Sequence, residues 1–166
     1  MNKIVTQAIR NGLQIPNGWE IAHQTGKLQV AEIQNFYRQH RIPARVVAFF
    51  SDMQAEISSA CIAISRAGAV TIQELACGGL PTILIPLSTA ADNHQIINAQ
   101  QLESAQAAVL INETDVDAAN LLRSAFELLF ADSAQRQKMG QAIRQFATPN
   151  ASADIAALLH AIANTR

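Results

Sequence analysis

The stretch from Cys61 to Pro81 limits what this chain can fold into more than any other. Cys61-Ile-Ala-Ile64 is a short apolar run of the kind that forms a buried strand, and it ends in small residues around Gly68. Val70, Ile72, Leu75 and Ala76 then follow helical rather than alternating spacing, so the turn opens a helix, which Gly78-Gly79 closes. The unpaired amides and positive dipole end at such a helix start suit a phosphate or diphosphate, and Gly68 lets the ligand approach the backbone closely. Glu74, about one turn further in, carries two acceptor oxygens suited to both hydroxyls of a ribose. Thr71-x-x-Glu74 equally matches a capping box, in which the carboxylate serves only its own helix start.

The remaining chain repeats the alternation of strand and helix. Residues 3–12 read as a helix with Ile4, Val5, Ala8 and Ile9 on one face. Trp19–Gln24 and Arg45–Phe50 read as strands, with an amphipathic helix marked by Val30, Ile33, Phe36 and Tyr37 between them. Ser51-Asp52 is placed to cap a short helix through Met53 and Ile57, which leads into Cys61–Ile64. Beyond Gly79, Pro81–Pro86 is a strand with a proline at each end, Leu87–Asn93 a loop, Asn93–Glu103 a helix and Ala107–Asn112 a last strand. Three helices follow at about 115–130, 133–146 and 152–163, and the stripe Leu121, Leu122, Ala125, Phe126, Leu129 is expected to face the core.

This pattern predicts one α/β domain over 1–166, a Rossmann-like parallel sheet with helices on both faces. In such sheets ligands bind beyond the carboxyl ends of the strands. Four polar clusters follow the predicted strands and converge there: His23–Gly26, Ser51-Asp52, Ser65–Gly68 and Asp92–Gln95. His23 reads as structural, held at a strand end, whereas Arg66 is equally suited to binding phosphate and to covering the sheet edge with its stem.

Composition narrows the function. With 49% hydrophobic and 15% charged residues the chain is globular, and a net charge of −1 with dispersed Lys and Arg gives no reason to expect a nucleic-acid partner. Cys61 and Cys77 form no CxxC pair and sit in apolar contexts, so both are expected in the core. Asp52 and Asp92 lack a spaced cluster of further carboxylates, which argues for metal-free chemistry, and no cofactor is expected. No apolar stretch approaches the roughly 20 residues of a membrane span and the first residues lack a signal-peptide core, so a cytoplasmic location is expected.

With these clusters taken together, the chain resembles the C-terminal, donor-binding half of the MurG-type N-acetylglucosaminyltransferases, glycosyltransferases of the two-domain GT-B fold. The likeness rests on the order His23-Gln-Thr-Gly26, Phe49-Phe-Ser-Asp-Met53, Ser65–Glu74, Gly79-Leu-Pro81 and Ala91-Asp-Asn-His-Gln95 with Asn98. The resemblance implies a donor, UDP-N-acetylglucosamine. The Phe50 main chain would bind the uracil edge with Met53 close by, and Ala69, Val70 and Thr71, with Ile72 and Gln73 behind them, would line the diphosphate and sugar. Glu74 would bind the ribose, and Gln95, with His94 nearby, the N-acetylglucosamine hydroxyls, while Arg66 and Gly68 are further phosphate candidates. His94 is expected to bind rather than act as a base.

Two departures from that family carry expectations of their own. The family's opening strand and Gly-Gly-Ser-x-Gly-Ala turn are absent before the first helix, as is the acceptor-binding half that supplies the base. The first strand of such a sheet lies at its centre, so its loss would leave Trp19–Gln24 and Cys61–Ile64 without a shared neighbour. Poor stability, rearrangement, self-association or a partner strand that completes the sheet is then expected, with donor binding weak or lost. The lipid-linked acceptor would be met through the missing half, and the full-length enzyme would lie peripherally on the cytoplasmic face of the inner membrane. The alternatives are the donor half of a split transferase with a membrane partner, and a non-catalytic remnant that keeps only the fold.

Overall fold

The structure, a computed structural model, describes residues 1–88 and 93–163. The elements run α1 (Asn2–Arg10), β1 (Ile21–Gln24), α2 (Val30–Gln39), β2 (Ala44–Val47), α3 (Met53–Ser59), β3 (Ala63–Ser65) and α4 (Ala69–Gly78). They continue β4 (Thr82–Leu84), α5 (His94–Ser104), β5 (Ala108–Leu110), α6 (Ala118–Ala131), α7 (Ser133–Arg144) and α8 (Ala151–Ala163). Every expected element is present, and each strand is shorter than its apolar run. No described helix is long and apolar enough to cross a membrane.

All strand pairs are parallel, but the sheet is in two pieces, β1 with β2 and the trio β3-β4-β5 in that order. Among the described residues β1 and β3 pair with no strand on their facing sides, so each keeps an open edge. Alternate residues of a parallel strand bond to one neighbour. Ile21 and Thr25 donate to Pro43 and Val47, so the amides of Ala22 and Gln24 face the open edge of β1. On β3, Ala63 donates to Pro81 and Ser65 accepts from Ile85, which leaves Ile62 and Ile64 on the facing edge.

The core holds the two pieces together. β4 is the only described strand buried throughout, and successive side chains point to opposite faces. Ile83 and Ile85 join a cluster with Val5, Ala8 and Ile9 of α1, Ile33, Phe36 and Tyr37 of α2, Val46 of β2 and Leu122 and Leu129 of α6. Leu84 turns the other way, toward Ile72, Leu75 and Ala76 of α4, Ala99 and Leu102 of α5 and Ile143 of α7. Helices therefore cover both faces, as the alternation requires.

Two expectations about burial are corrected. Cys61 and Cys77 are exposed, not core. Cys61 lies ahead of β3, outside the ladder, and Cys77 is one step round α4 from the inward pair Leu75 and Ala76, which turns it to solvent. Leu121 likewise leaves the stripe assigned to it, because α6 buries Leu122 and Leu129 and their face excludes the preceding residue. Helix α8 buries none of its residues, and Ile155, Leu158, Leu159 and Ile162 share an outward stripe.

Candidate functional site

The turn between β3 and α4 forms as its sequence dictates. Gly68 is the residue before the helix, in an extended conformation, and no side chain caps the amides that follow it. The first helical bond is Ile72 N–H to Gly68 O, so the N–H groups of Ala69, Val70 and Thr71 have no partner among the described residues. Ala69 and Val70 are exposed and a Cβ on Gly68 would meet nothing within 4 Å, so no described residue crowds the turn at Gly68. From α5, Asn98 Nδ2 donates to Ala67 O at 3.1 Å and fixes the turn from behind.

Glu74 is exposed and hydrogen-bonds to no described residue. The helix start at Ala69 excludes the capping box: a box partner would stand at Thr71, three residues beyond Gly68, whereas Glu74 lies a turn deeper. Ile72 and Gln73 take other roles. Ile72 is core, and the Gln73 carboxamide reaches back to the chain before α8, donating to Phe146 O at 3.0 Å and accepting from Thr148 N and Oγ1 at 3.0 and 2.6 Å.

Arg66 is heavily engaged. Its guanidinium donates to Ile85 O, Pro86 O and Glu113 Oε1, at 3.0, 3.1 and 2.6 Å. Glu113 also accepts from the Met1 ammonium at 2.9 Å. The Arg66 hydrogen bond holds the Glu113 carboxyl down to about 2, against partial burial and with the ammonium assisting. Arg66 therefore buttresses the tips of β4 and β5 rather than extending into the turn.

The β2–α3 loop carries Phe50. Its N–H is occupied by Gln24 Oε1 at 2.9 Å, its carbonyl accepts no hydrogen bond among the described residues, and Arg45 lies 5.0 Å over its ring. Asp52 caps α3 by accepting Ala55 N–H at 2.9 Å, with half-buried Met53 next to it. His94 opens α5 exposed, and Gln95 Oε1 accepts Leu87 N–H at 3.1 Å, while the Gln95 NH2 group has no partner among the described residues. Ala91 and Asp92 lie outside the described residues.

His23 is structural, as expected. Asn2 donates through Nδ2 to Thr25 O and Gln29 Oε1, so its Oδ1 accepts the His23 Nε2–H at 3.2 Å while His23 Nδ1 accepts the Tyr37 hydroxyl at 2.8 Å. Burial, then the nearby positive amino terminus, lowers the His23 pKa to about 4, and burial raises that of Tyr37.

Sequence reasoning missed three supporting side chains: Gln24 on Phe50, Asn98 on Ala67 and Glu113 on Arg66. The first two lay inside motifs already singled out; Glu113 follows β5 in a segment with no motif to mark it.

An open helix start at the carboxyl edge of a Rossmann-like parallel sheet is chemically suited to a nucleotide or other anion, and the fold is that of the C-terminal half of a GT-B glycosyltransferase. The chain belongs to the glycosyltransferase family 28 C-terminal domain family, whose pattern matches residues 2–156. It is 42% identical over 161 residues to the UDP-N-acetylglucosamine--N-acetylmuramyl-(pentapeptide) pyrophosphoryl-undecaprenol N-acetylglucosamine transferase of Sorangium cellulosum, covering 95% of this chain and 39% of that protein. The transferase of the same name from Acidithiobacillus ferrooxidans is 40% identical over 153 residues, covering 92% and 42%. The chain thus spans about two-fifths of these relatives. The crystal structure of Acinetobacter baumannii MurG superposes with a TM-score of 0.83 at 31% identity, covering 96% of this chain and 45% of that one. The calicheamicin glycosyltransferase CalG4 shares the fold, with a TM-score of 0.63 at 18% identity, over 98% and 41%.

Proposed function

We propose that this chain is the donor half of an inverting glycosyltransferase that moves N-acetylglucosamine from UDP-N-acetylglucosamine to lipid I, giving lipid II in peptidoglycan synthesis. The observation that carries the reading is the pairing of three amides left open at the start of α4 with Glu74, a carboxylate one turn later that has no partner among the described residues. The family relationship supplies the substrate class.

In this reading the amides of Ala69, Val70 and Thr71 face the diphosphate and Glu74 the ribose hydroxyls. Gln95, through its NH2 group, and His94 face the sugar. A muramoyl hydroxyl oxygen bonds to the anomeric carbon on the face opposite the diphosphate, the carbon–oxygen bond to UDP breaks, and its electron pair leaves on the β-phosphate. The hydroxyl proton goes to a base in the acceptor half. Charge growing on the departing phosphate is met by the α4 amides, which therefore favour the transition state over the ground state. The complete enzyme works as a peripheral protein on the cytoplasmic face of the inner membrane.

The break between β1 and β3 favours one addition: an extended segment, from the same polypeptide or a partner copy, lies between the two open edges and completes the sheet. Titration with UDP and UDP-N-acetylglucosamine tests the reading, followed by saturation-transfer NMR so that weak binding registers. The unaltered chain is expected to bind UDP with a dissociation constant of ~1 mM, about −4 kcal/mol, and more tightly once an acceptor half is added. Absence of UDP binding with and without that half would leave a remnant of the fold and overturn the proposal.

A further inference from the structure

The amino ends of β1 and β2, opposite the edge that carries the α4 turn, border a concavity of about 320 Å³. Ile9 of α1, Leu13 beyond it, Trp19 ahead of β1 and Ile42 ahead of β2 supply apolar lining, and His40 and Arg41 at the end of α2 supply polar lining. His40 is fixed in place: Nδ1–H donates to Phe36 O at 2.8 Å, and the ring packs on that of Phe36 with centroids 4.1 Å apart. Arg41 is held by no such contact. It has no hydrogen bond, ion pair or ring partner among the described residues, and it takes the left-handed conformation, φ 54°, that closes α2, where glycine is the usual residue. No lining residue is acidic. Glu20, next to Trp19 in sequence, acts instead on Arg45, which also pairs with Glu56. Arg10, whose guanidinium lies 5.2 Å over the Phe36 ring, adds a second positive charge beside His40.

We infer that this concavity binds a small carboxylate with an apolar body, the Arg41 guanidinium taking the carboxylate and Trp19, Leu13 and Ile42 the body. A guanidinium is a planar fork that meets a carboxylate with two parallel hydrogen bonds, a match that a hydroxyl cannot reproduce. The volume lies at the small end of the range for ligand pockets, about 300–1,000 Å³. Both parts of the ligand are needed. An anion without a body gains little from one exposed guanidinium in water, and the net charge of −1 draws no anion to the chain as a whole. A body without a charge leaves the fork unused. The amides of Ala69, Val70 and Thr71 follow the carboxyl end of β3, at the other edge of the sheet, so the two sites can be filled together.

The test is an NMR titration of the unaltered chain, Arg41→Gly and Arg41→Lys with phenylacetate, phenethyl alcohol and acetate, read from backbone amides and the Trp19 indole N–H, with thermal melts alongside. Arg41→Gly suits the left-handed position, so it should melt no lower than the unaltered chain and any lost binding is not lost folding. Phenylacetate should shift Trp19, Arg41 and Ile42 and leave Ala69 to Thr71 unmoved. Phenethyl alcohol and acetate should each bind at least ~10-fold more weakly, and Arg41→Gly should weaken phenylacetate by ~10-fold or more while leaving phenethyl alcohol as it was, as expected for a charged hydrogen-bonded pair. Arg41→Lys keeps the charge without the fork and should fall between. The inference is wrong if phenylacetate shifts none of these signals, if it shifts only the α4 amides, if the alcohol binds as tightly as the acid, or if Arg41→Gly binds phenylacetate unchanged. It stands apart from the donor-site reading: failure of UDP to bind leaves it intact, and its own failure leaves the site at α4 intact.

Discussion

Lowering the pH from 8 to 4 is expected to cost this fold about 3 kcal/mol through one side chain, His23. Its imidazole is 8% exposed, and both ring nitrogens are committed, Nε2–H to Asn2 Oδ1 and Nδ1 to the Tyr37 hydroxyl. A proton on Nδ1 would set a second donor against that hydroxyl and place a charge among α1, α2 and β1, close to the Met1 ammonium. The folded pKa is accordingly about 4 against the ordinary 6.5. Between those values the unfolded chain binds more protons than the folded one, so stability is full above pH 6.5 and is lost as the pH falls toward 4. The loss is about 2 kcal/mol by pH 5 and about 3 kcal/mol by pH 4. For a chain of this size the melting temperature should drop by roughly 6–12 °C. Urea unfolding followed by circular dichroism across this range, with His23→Gln as the chain that cannot titrate there, measures the effect. Equal slopes in the two proteins between pH 6.5 and 4.5 would refute the assignment. Glu113, held down to about 2, releases its own contribution only below about pH 4.5, as pH falls through that lower value.

Three further outcomes follow from the geometry. Glu74→Gln should weaken UDP by at least ~10-fold, since it removes the charge from the proposed acceptor of two hydroxyls, while shifting unfolding by less than about 0.5 kcal/mol because the side chain is exposed and has no partner among the described residues. Gly140→Ala should destabilise by about 1–3 kcal/mol: the added Cβ would stand 2.6 Å from Gly79 O, a backbone atom, and would force α7 off α4. Both cysteines should react with a thiol reagent in the native state, and urea should add no further thiols, because Cys61 and Cys77 are exposed.

Periodicity made most of the fold legible, because local spacing reports which face of an element is buried. Ile33, Phe36 and Tyr37 are three or four apart, and all three are core. The turn before α4 was legible for a related reason: a buried strand, a glycine and a helical repeat in succession leave the chain few other ways to run. Other features depend on contacts distant in sequence. Arg66 looked equally suited to two tasks until Glu113, 47 residues later, lay beside it. Gln73 sits in the middle of the motif but turns away, because Thr148 and Phe146 return to meet it from the far side of α7. The cysteines misled through an average, since apolar neighbours in sequence do not tell which way a residue faces at a strand edge or on a helix.

The two halves of the proposed site hang on different pieces of sheet. Phe50, whose main chain the family resemblance assigns to the base, follows the β1–β2 pair, whereas the α4 amides and Glu74 extend from the β3-β4-β5 trio. No ladder hydrogen bond joins those pieces among the described residues; they are held together through α1 and the apolar cluster under α1, α2 and α6. A ligand that spans both grips gains from their connection only as far as the spacing between them is fixed, because the second contact is then made at high effective concentration. Uridine uses the base grip and the ribose carboxylate, and pyrophosphate only the amides, so each samples fewer of the contacts that UDP must make at once. Supplying a segment with the missing strand and its Gly-Gly-Ser-x-Gly-Ala turn should therefore tighten UDP by a larger factor than it tightens either uridine or pyrophosphate. Parallel titrations of the three ligands with and without that segment measure this. If pyrophosphate alone gains as much as UDP, the added turn acts only as further phosphate contact, and the break in the sheet has no bearing on how the two grips cooperate.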